Sequence, residues 1–122
     1  MSEVKQVIVM RKDLKMRRGK EIAQGAHASM AFLAKKALQK EMFTDAETAW
    51  LQGLFTKVCV RVDSEEALLA VAEAAQKGGI RVEVITDSGR TEFGGVPTRT
   101  CLALGPDLAS KIDAITGTLE LY

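Results

Sequence analysis

Residues 56–86 read TKVCVRVDSEEALLAVAEAAQKGGIRVEVIT, and the order of patterns in this stretch decides the class of fold. Val58, Val60 and Val62 alternate with Lys57, Cys59 and Arg61, the period of two that marks a strand with one apolar face. Asp63-x-x-Glu66 has the spacing of a capping box and opens a helix that runs through Gln76. Gly78-Gly79 stops that helix. Alternation then resumes over residues 80–86, with Ile80, Val82 and Val84 set against Arg81 and Glu83.

The same patterns extend in both directions. Residues 4–10 form a short apolar strand, and residues 99–105 form a fourth strand. Residues 18–40 carry Ile22, Ala26, Met30, Leu33 and Ala37 at spacings of three or four, an amphipathic helical stripe. Thr44-x-x-Glu47 is a second capping box, opening a short helix through Trp50. Pro106 suits a first helical position and opens a last helix carrying Leu108, Ile112 and Ile115. Three strands joined by helical crossovers predict a parallel core with helices on both faces. The segment from Asp87 to Thr98 has no helical pattern, and its length allows the fourth strand to run antiparallel to the third.

Composition agrees with one globular domain over residues 1–122. Apolar residues make up 47% and charged residues 27%, a balance unlike that of disordered chains. Aromatic residues make up only 5%, so Leu, Ile, Val, Ala and Met must build the core. No apolar run approaches the roughly 18 residues of a membrane span, and no secretory h-region opens the chain. Cys59 and Cys101 both sit in apolar strands, which predicts two small core residues in a reducing, cytoplasmic setting. No CxxC or His/Cys cluster is present, and one histidine cannot build a zinc site without other ligands. Formal net charge is only +1, yet the cations are clustered. Lys5, Arg11, Lys12, Lys15, Arg17, Arg18 and Lys20 precede a more acidic stretch of Glu41, Asp45, Glu47, Asp63, Glu65, Glu66 and Glu73. This predicts one basic and one acidic end, the basic one suited to a polyanion.

Ligands of open α/β sheets bind beyond the carboxyl ends of the parallel strands. Two segments emerge there, residues 11–19 and the loop from Asp87, so the working site is expected where the ends of the first and third strands meet. Lys20, Gln24 and His27 fall within about 60° of one another around the first helix. They place an ammonium, an amide and an imidazole in a row, although three ordinary boundary residues would look the same. The loop adds Asp87, Ser88, Arg90, Thr91, Glu92, Thr98 and Thr100, with Gly89, Gly94 and Gly95 to permit tight turns or a close backbone approach. No phosphate-binding glycine loop follows the first strand, and no GxSxG elbow is present. A carboxylate to orient or activate water, an ammonium to stabilise an oxyanion and cations to hold phosphates together suit hydrolysis of an ester attached to RNA.

The segments Val9-Met10-Arg11-Lys12-Asp13-Leu14-Lys15-Met16, Arg18-Gly19-Lys20 and Ala23-Gln24-Gly25-Ala26-His27-Ala28 resemble the N-terminal signature of type II peptidyl-tRNA hydrolases. Asp87-Ser88-Gly89-Arg90-Thr91-Glu92, Thr98-Arg99-Thr100 and Leu102-Ala103-Leu104-Gly105-Pro106 resemble that family's second signature, and the ending from Ile115 to Tyr122 is similar as well. The resemblance spans essentially the whole chain. It implies a three-layer α/β/α sandwich around a mixed four-stranded sheet, often dimeric. It also implies cleavage of the ester between a peptide and the 3′ end of tRNA, with no metal or organic cofactor. By the same resemblance Lys20, Asp87 and Thr100 are the catalytic positions. Gln24, His27, Thr91 and Thr98 match neighbouring substrate-binding motif positions, and Arg18 and Arg90 would face the RNA. Three features depart from the family pattern: Ser88 in the Asp-x-Gly turn, Glu21 in place of an apolar residue, and a loop over residues 93–97 that is one residue longer. The longer loop motivates an alternative, an RNA- or protein-binding module of the same fold without activity. A deacylase for another acylated tRNA also fits the residues.

Overall fold

The computed structural model describes residues 3–90 and 92–122. Its elements run β1 (Val4–Arg11), α1 (Arg18–Gln39), α2 (Asp45–Gln52), β2 (Lys57–Val62), α3 (Glu65–Lys77), β3 (Val82–Asp87), β4 (Thr98–Leu108) and α4 (Ala109–Thr116). A 3-10 turn, Phe93–Gly95, interrupts the loop before β4. The strands form one sheet in the order β2-β1-β4-β3. β1 and β2 pair parallel, while β4 runs antiparallel to both β1 and β3. The sheet is therefore mixed, and the expected parallel core is limited to one pair because β4 inserts between β1 and β3. β1, β2 and β3 still point the same way, so their carboxyl ends share one edge of the sheet.

Side chains alternate across the strands and feed two cores, one on each face. Val7, Val9, Val60, Val62, Leu102 and Leu104 pack on one side with Leu68, Val71 and Ala75 of α3 and Ile112 of α4. Met10, Ile85, Cys101 and Ala103 pack on the other with Ala28 of α1 and with Met16. Two faces covered by helices make the three-layer sandwich. Both cysteines are core residues as expected, Cys59 half-buried and Cys101 buried, and burial pushes the Cys101 thiol up to about 11.

Three sequence expectations need correction. The first concerns the apolar stripe of α1, which does not face the sheet: Ile22 and Met30 remain 66% and 60% exposed. The buried face is Gln24, Gly25, Ala28, Ser29, Phe32 and Lys36. Each polar member of it has a partner that makes burial tolerable. Gln24 accepts from Thr100, Ser29 donates to Gln6, and Lys36 pairs with Glu47.

The second concerns α3, which starts from Ser64 rather than from an Asp63–Glu66 box. The Ser64 hydroxyl accepts from the Ala67 amide at 3.0 Å, and Ala67 then occupies the position from which a glutamate would reach back. The Thr44–Glu47 box forms as expected. The third concerns Pro106, which does not open the last helix. It lies within β4 after a cis Gly105–Pro106 bond, because β4 stays paired with β1 through Asp107 and Leu108. Helix α4 begins only once that ladder ends.

Candidate active site

Lys20 lies in the first turn of α1 and Asp87 is the last residue of β3, so each is held by a regular element at the carboxyl edge of the sheet. Lys20 Nζ donates to Asp87 Oδ1 at 2.8 Å, with the two side chains 14% and 11% exposed. Gln24, one turn further along α1, brings its Nε2 within 3.4 Å of the same oxygen. Thr100, fully buried in β4, donates its hydroxyl to Gln24 Oε1 at 2.5 Å. The second carboxylate oxygen, Oδ2, accepts from the Gly89 amide at 2.9 Å. A chain of hydrogen bonds thus runs from the sheet interior through an amide to a carboxylate-ammonium pair at the edge. Thr100 reaches Asp87 through Gln24, not directly.

This environment tunes the carboxyl group. The hydrogen bond from Lys20 holds Asp87 below its ordinary value of 3.8, burial opposes that shift, and the Gly89 amide, the Lys20 charge and His27 add to the lowering. A depressed pKa favours the folded state above the ordinary carboxylate range, and this contribution disappears as pH falls through the lowered value. We expect carboxyl-detected NMR to place the Asp87 midpoint below 3.8. Asp87→Asn should then lose this part of the acid-induced destabilisation; a midpoint above that value would contradict the Lys20 contact. So acidic a carboxylate is a weak general base at neutral pH.

The remaining expected residues fall at different distances from the chemistry. His27 is exposed on α1 and acts on Asp87 only through its charge. Thr98 pairs with Asp87 across the β3–β4 ladder, but its hydroxyl donates to Val96 O at 2.8 Å. Arg18 and Arg90 are exposed on the two segments that flank the site. Thr91 lies outside the described residues.

The clustered cations divide. Lys12, Lys15, Arg17 and Arg18 are exposed near the site. Lys5, at the opposite end of β1, pairs with Asp113. Arg11 is buried and spent on Asp13, Glu65 and the Arg99 carbonyl. The expected split into a basic and an acidic end is incomplete. β2 ends at Val62, so Asp63, Glu65 and Glu66 emerge at the same edge as the cations.

One contributor was expected from the sequence only as a turn residue, and a second was not singled out. Gly89 supplies the amide that holds Asp87, at φ +82, where a Cβ would sit 2.3 Å from the Val96 carbonyl oxygen. Its own carbonyl accepts from Gly95, which ties the loop back on itself. Gly89→Ala should therefore shift the loop and lower kcat/KM by about a hundredfold, measured beside an unfolding curve; wild-type kinetics would show that the turn does not position Asp87. The second is Phe93, whose ring centroid lies 6.0 Å from Lys20 Nζ. The Asp87-x-Gly89 spacing was the available signal for the first, whereas nothing local points Phe93 at Lys20.

Fold and cluster define an α/β sandwich carrying a polar relay at the shared carboxyl edge of β1 and β3. The family model described as "Peptidyl-tRNA hydrolase PTH2" matches residues 4–122. A peptidyl-tRNA hydrolase of Haloquadratum walsbyi is 40% identical, covering 98% of this chain and 100% of the relative. That of Nanoarchaeum equitans is 46% identical, covering 98% and 99%. The human protein named "Peptidyl-tRNA hydrolase 2, mitochondrial" is 38% identical over 98% of this chain and 65% of its own length. A solved structure of a protein of unknown function from Agrobacterium tumefaciens shares the fold, with TM-score 0.64 at 14% identity, covering 100% of this chain and 99% of the other. The chain belongs to the PTH2 peptidyl-tRNA hydrolase family.

Proposed function

We propose that this chain is a carboxylic-ester hydrolase that cleaves the bond between a peptide and the 3′ end of tRNA, releasing both by attack of water. The observation that carries this reading is the convergence of Lys20, Asp87, Gln24 and Thr100 at the carboxyl edge of the sheet, in a chain of this family. Asp87, kept ionised, accepts a hydrogen bond from the attacking water and aims it at the ester carbonyl. Charge then develops on the carbonyl oxygen, and the Lys20 ammonium stabilises it. Collapse of the tetrahedral intermediate expels the ribose oxygen, which ends with the proton that the water gives up. Thr100 fixes the Gln24 amide so that its nitrogen, rather than its oxygen, faces Asp87. Thr100 is thus a positioning residue.

Arg18 and Arg90, with Lys12, Lys15 and Arg17, hold tRNA phosphates, while His27 and Thr98 border the bound end. The reaction takes place in the cytoplasm, where translation supplies the substrate; no helix among the described residues is long and apolar enough to cross a membrane. Two copies pair through the outward apolar ridge of α1, which borders a cleft of about 600 Å³ lined by Ile8, Met30, Trp50 and Phe55. Exposed apolar surface of this kind marks contact sites, and sedimentation of a monomer at all concentrations would reject the pairing.

Release of a labelled N-acetyl-aminoacyl group from tRNA tests the activity. Turnover by the native chain supports the hydrolase; a folded chain that binds tRNA and releases nothing would instead be a binding module.

A further inference from the structure

We infer that Phe93 is the platform on which the terminal base of the tRNA 3′ end stacks while its ester lies against Lys20 and Asp87. The inference rests on the hydrolase reading and adds a residue to it.

Phe93 stands apart from the other aromatic side chains. Phe32, Phe43, Trp50 and Phe55 form one contiguous cluster around α2, and Tyr122 lies beside β2, where its amide bonds the Cys59 carbonyl. Phe93 alone borders the Lys20–Asp87 pair, half-buried against the Met10, Met16, Ala28, Ile85, Cys101 and Ala103 core. Its backbone is held at φ 66, followed by Gly94 at 59 and Gly95 at 80, a left-handed turn that a residue with a Cβ rarely enters. The Val96 amide bonds the Phe93 carbonyl at 3.0 Å, and the Gly95 amide bonds Gly89 at 2.9 Å. The loop that carries the ring is therefore fastened to the same glycine that holds Asp87. Strain of this kind persists where the surroundings impose it, and it concentrates at functional sites.

The chemistry of the substrate supplies the partner. The ester sits on the ribose of the last nucleotide, so the base of that nucleotide lies one sugar away from the reacting carbonyl. A single-stranded end offers its base for stacking on an aromatic ring, the usual way such ends are held. Lys20 Nζ, which faces the reacting carbonyl, is 6.0 Å from the Phe93 centroid, within the reach of that sugar.

The test compares two substrates in three enzymes. One substrate is an N-acetyl-aminoacyl ester on a short CCA-ended RNA; the other is the same ester with the terminal base removed. Native protein, Phe93→Leu and Phe93→Tyr are measured on both. Native protein should lose about tenfold to a hundredfold in kcat/KM on removal of the base, through KM with kcat little changed. Phe93→Leu should carry that loss already and lose little more, and Phe93→Tyr should restore the native pattern. An equal loss in native protein and Phe93→Leu overturns the inference. The ratio between substrates within one enzyme decides this even if leucine disturbs the loop. Native protein that cleaves both esters with equal KM overturns the inference alone, whereas native protein that cleaves neither overturns the hydrolase reading as well.

Discussion

Lys20→Ala is expected to lower kcat/KM for peptidyl-tRNA by about a hundredfold to a thousandfold, the usual cost of removing one oxyanion donor. The Lys20 side chain is 14% exposed and its ammonium is bonded to Asp87, so it is positioned before substrate arrives and needs little reorganisation as charge develops. The loss should appear mainly in kcat, because the ester carbonyl in the ground state carries too little charge to use the ammonium fully. Lys20→Arg should not rescue it: a planar guanidinium delivers its donors in a fixed fork, not as a point charge. Asp87→Asn should also slow the reaction, by a smaller factor than Lys20→Ala, since the amide oxygen still accepts from water. Steady-state rates with tRNA carrying a labelled N-acetyl-aminoacyl group measure all three variants. Native activity in folded Lys20→Ala would remove the lysine from the mechanism.

Lys36→Met is expected to destabilise the fold by about 3–5 kcal/mol, the range for breaking a buried ion pair from one side. Lys36 Nζ donates to Glu47 and to the Met42 carbonyl, and the two charged side chains are only 6% and 3% exposed. Glu47 also accepts from the Thr44 amide at 2.9 Å, so the pair joins the end of α1 to the capping box of α2. Removing only the lysine leaves a carboxylate whose side chain is 3% exposed without its cation. In a domain of this size the loss corresponds to a fall of roughly 10–20 °C in Tm. The double variant Lys36→Met/Glu47→Leu should recover most of it, because two apolar groups of similar size need no partner. Urea unfolding of the single and double variants closes the cycle. A single variant within about 1 kcal/mol of native stability would show that water reaches Glu47.

The helix α1 shows how far reading from the chain alone can go. Its extent was legible, because Ile22, Ala26, Met30 and Leu33 repeat with the helical period. Which face turns inward was not, because the buried face carries Gln24, Ser29 and Lys36, polar residues whose partners lie 76, 23 and 11 positions away. A pattern of polarity cannot announce that such groups are satisfied elsewhere. The cations behaved alike: Arg11 belongs to the same run as Lys12, yet it is consumed by Asp13 two residues on and by Glu65, the latter brought close because β1 and β2 are parallel neighbours.

Local chemistry determined the strands, the Thr44 capping box and the α/β class, since period and capping are properties of neighbours in the chain, while the mixed sheet and the candidate roles of Lys20, Asp87 and Thr100 came from the resemblance of two motifs to a known family. Tertiary structure alone decided that β4 enters between β1 and β3, that Thr100 reaches Asp87 through Gln24, and that Phe93 stands beside Lys20. The reason is range. A hydrogen bond between residues 67 positions apart, such as Lys20 to Asp87, exists only after strand order and helix rotation are set. Those are settled by burying two cores at once, one on each face of the sheet.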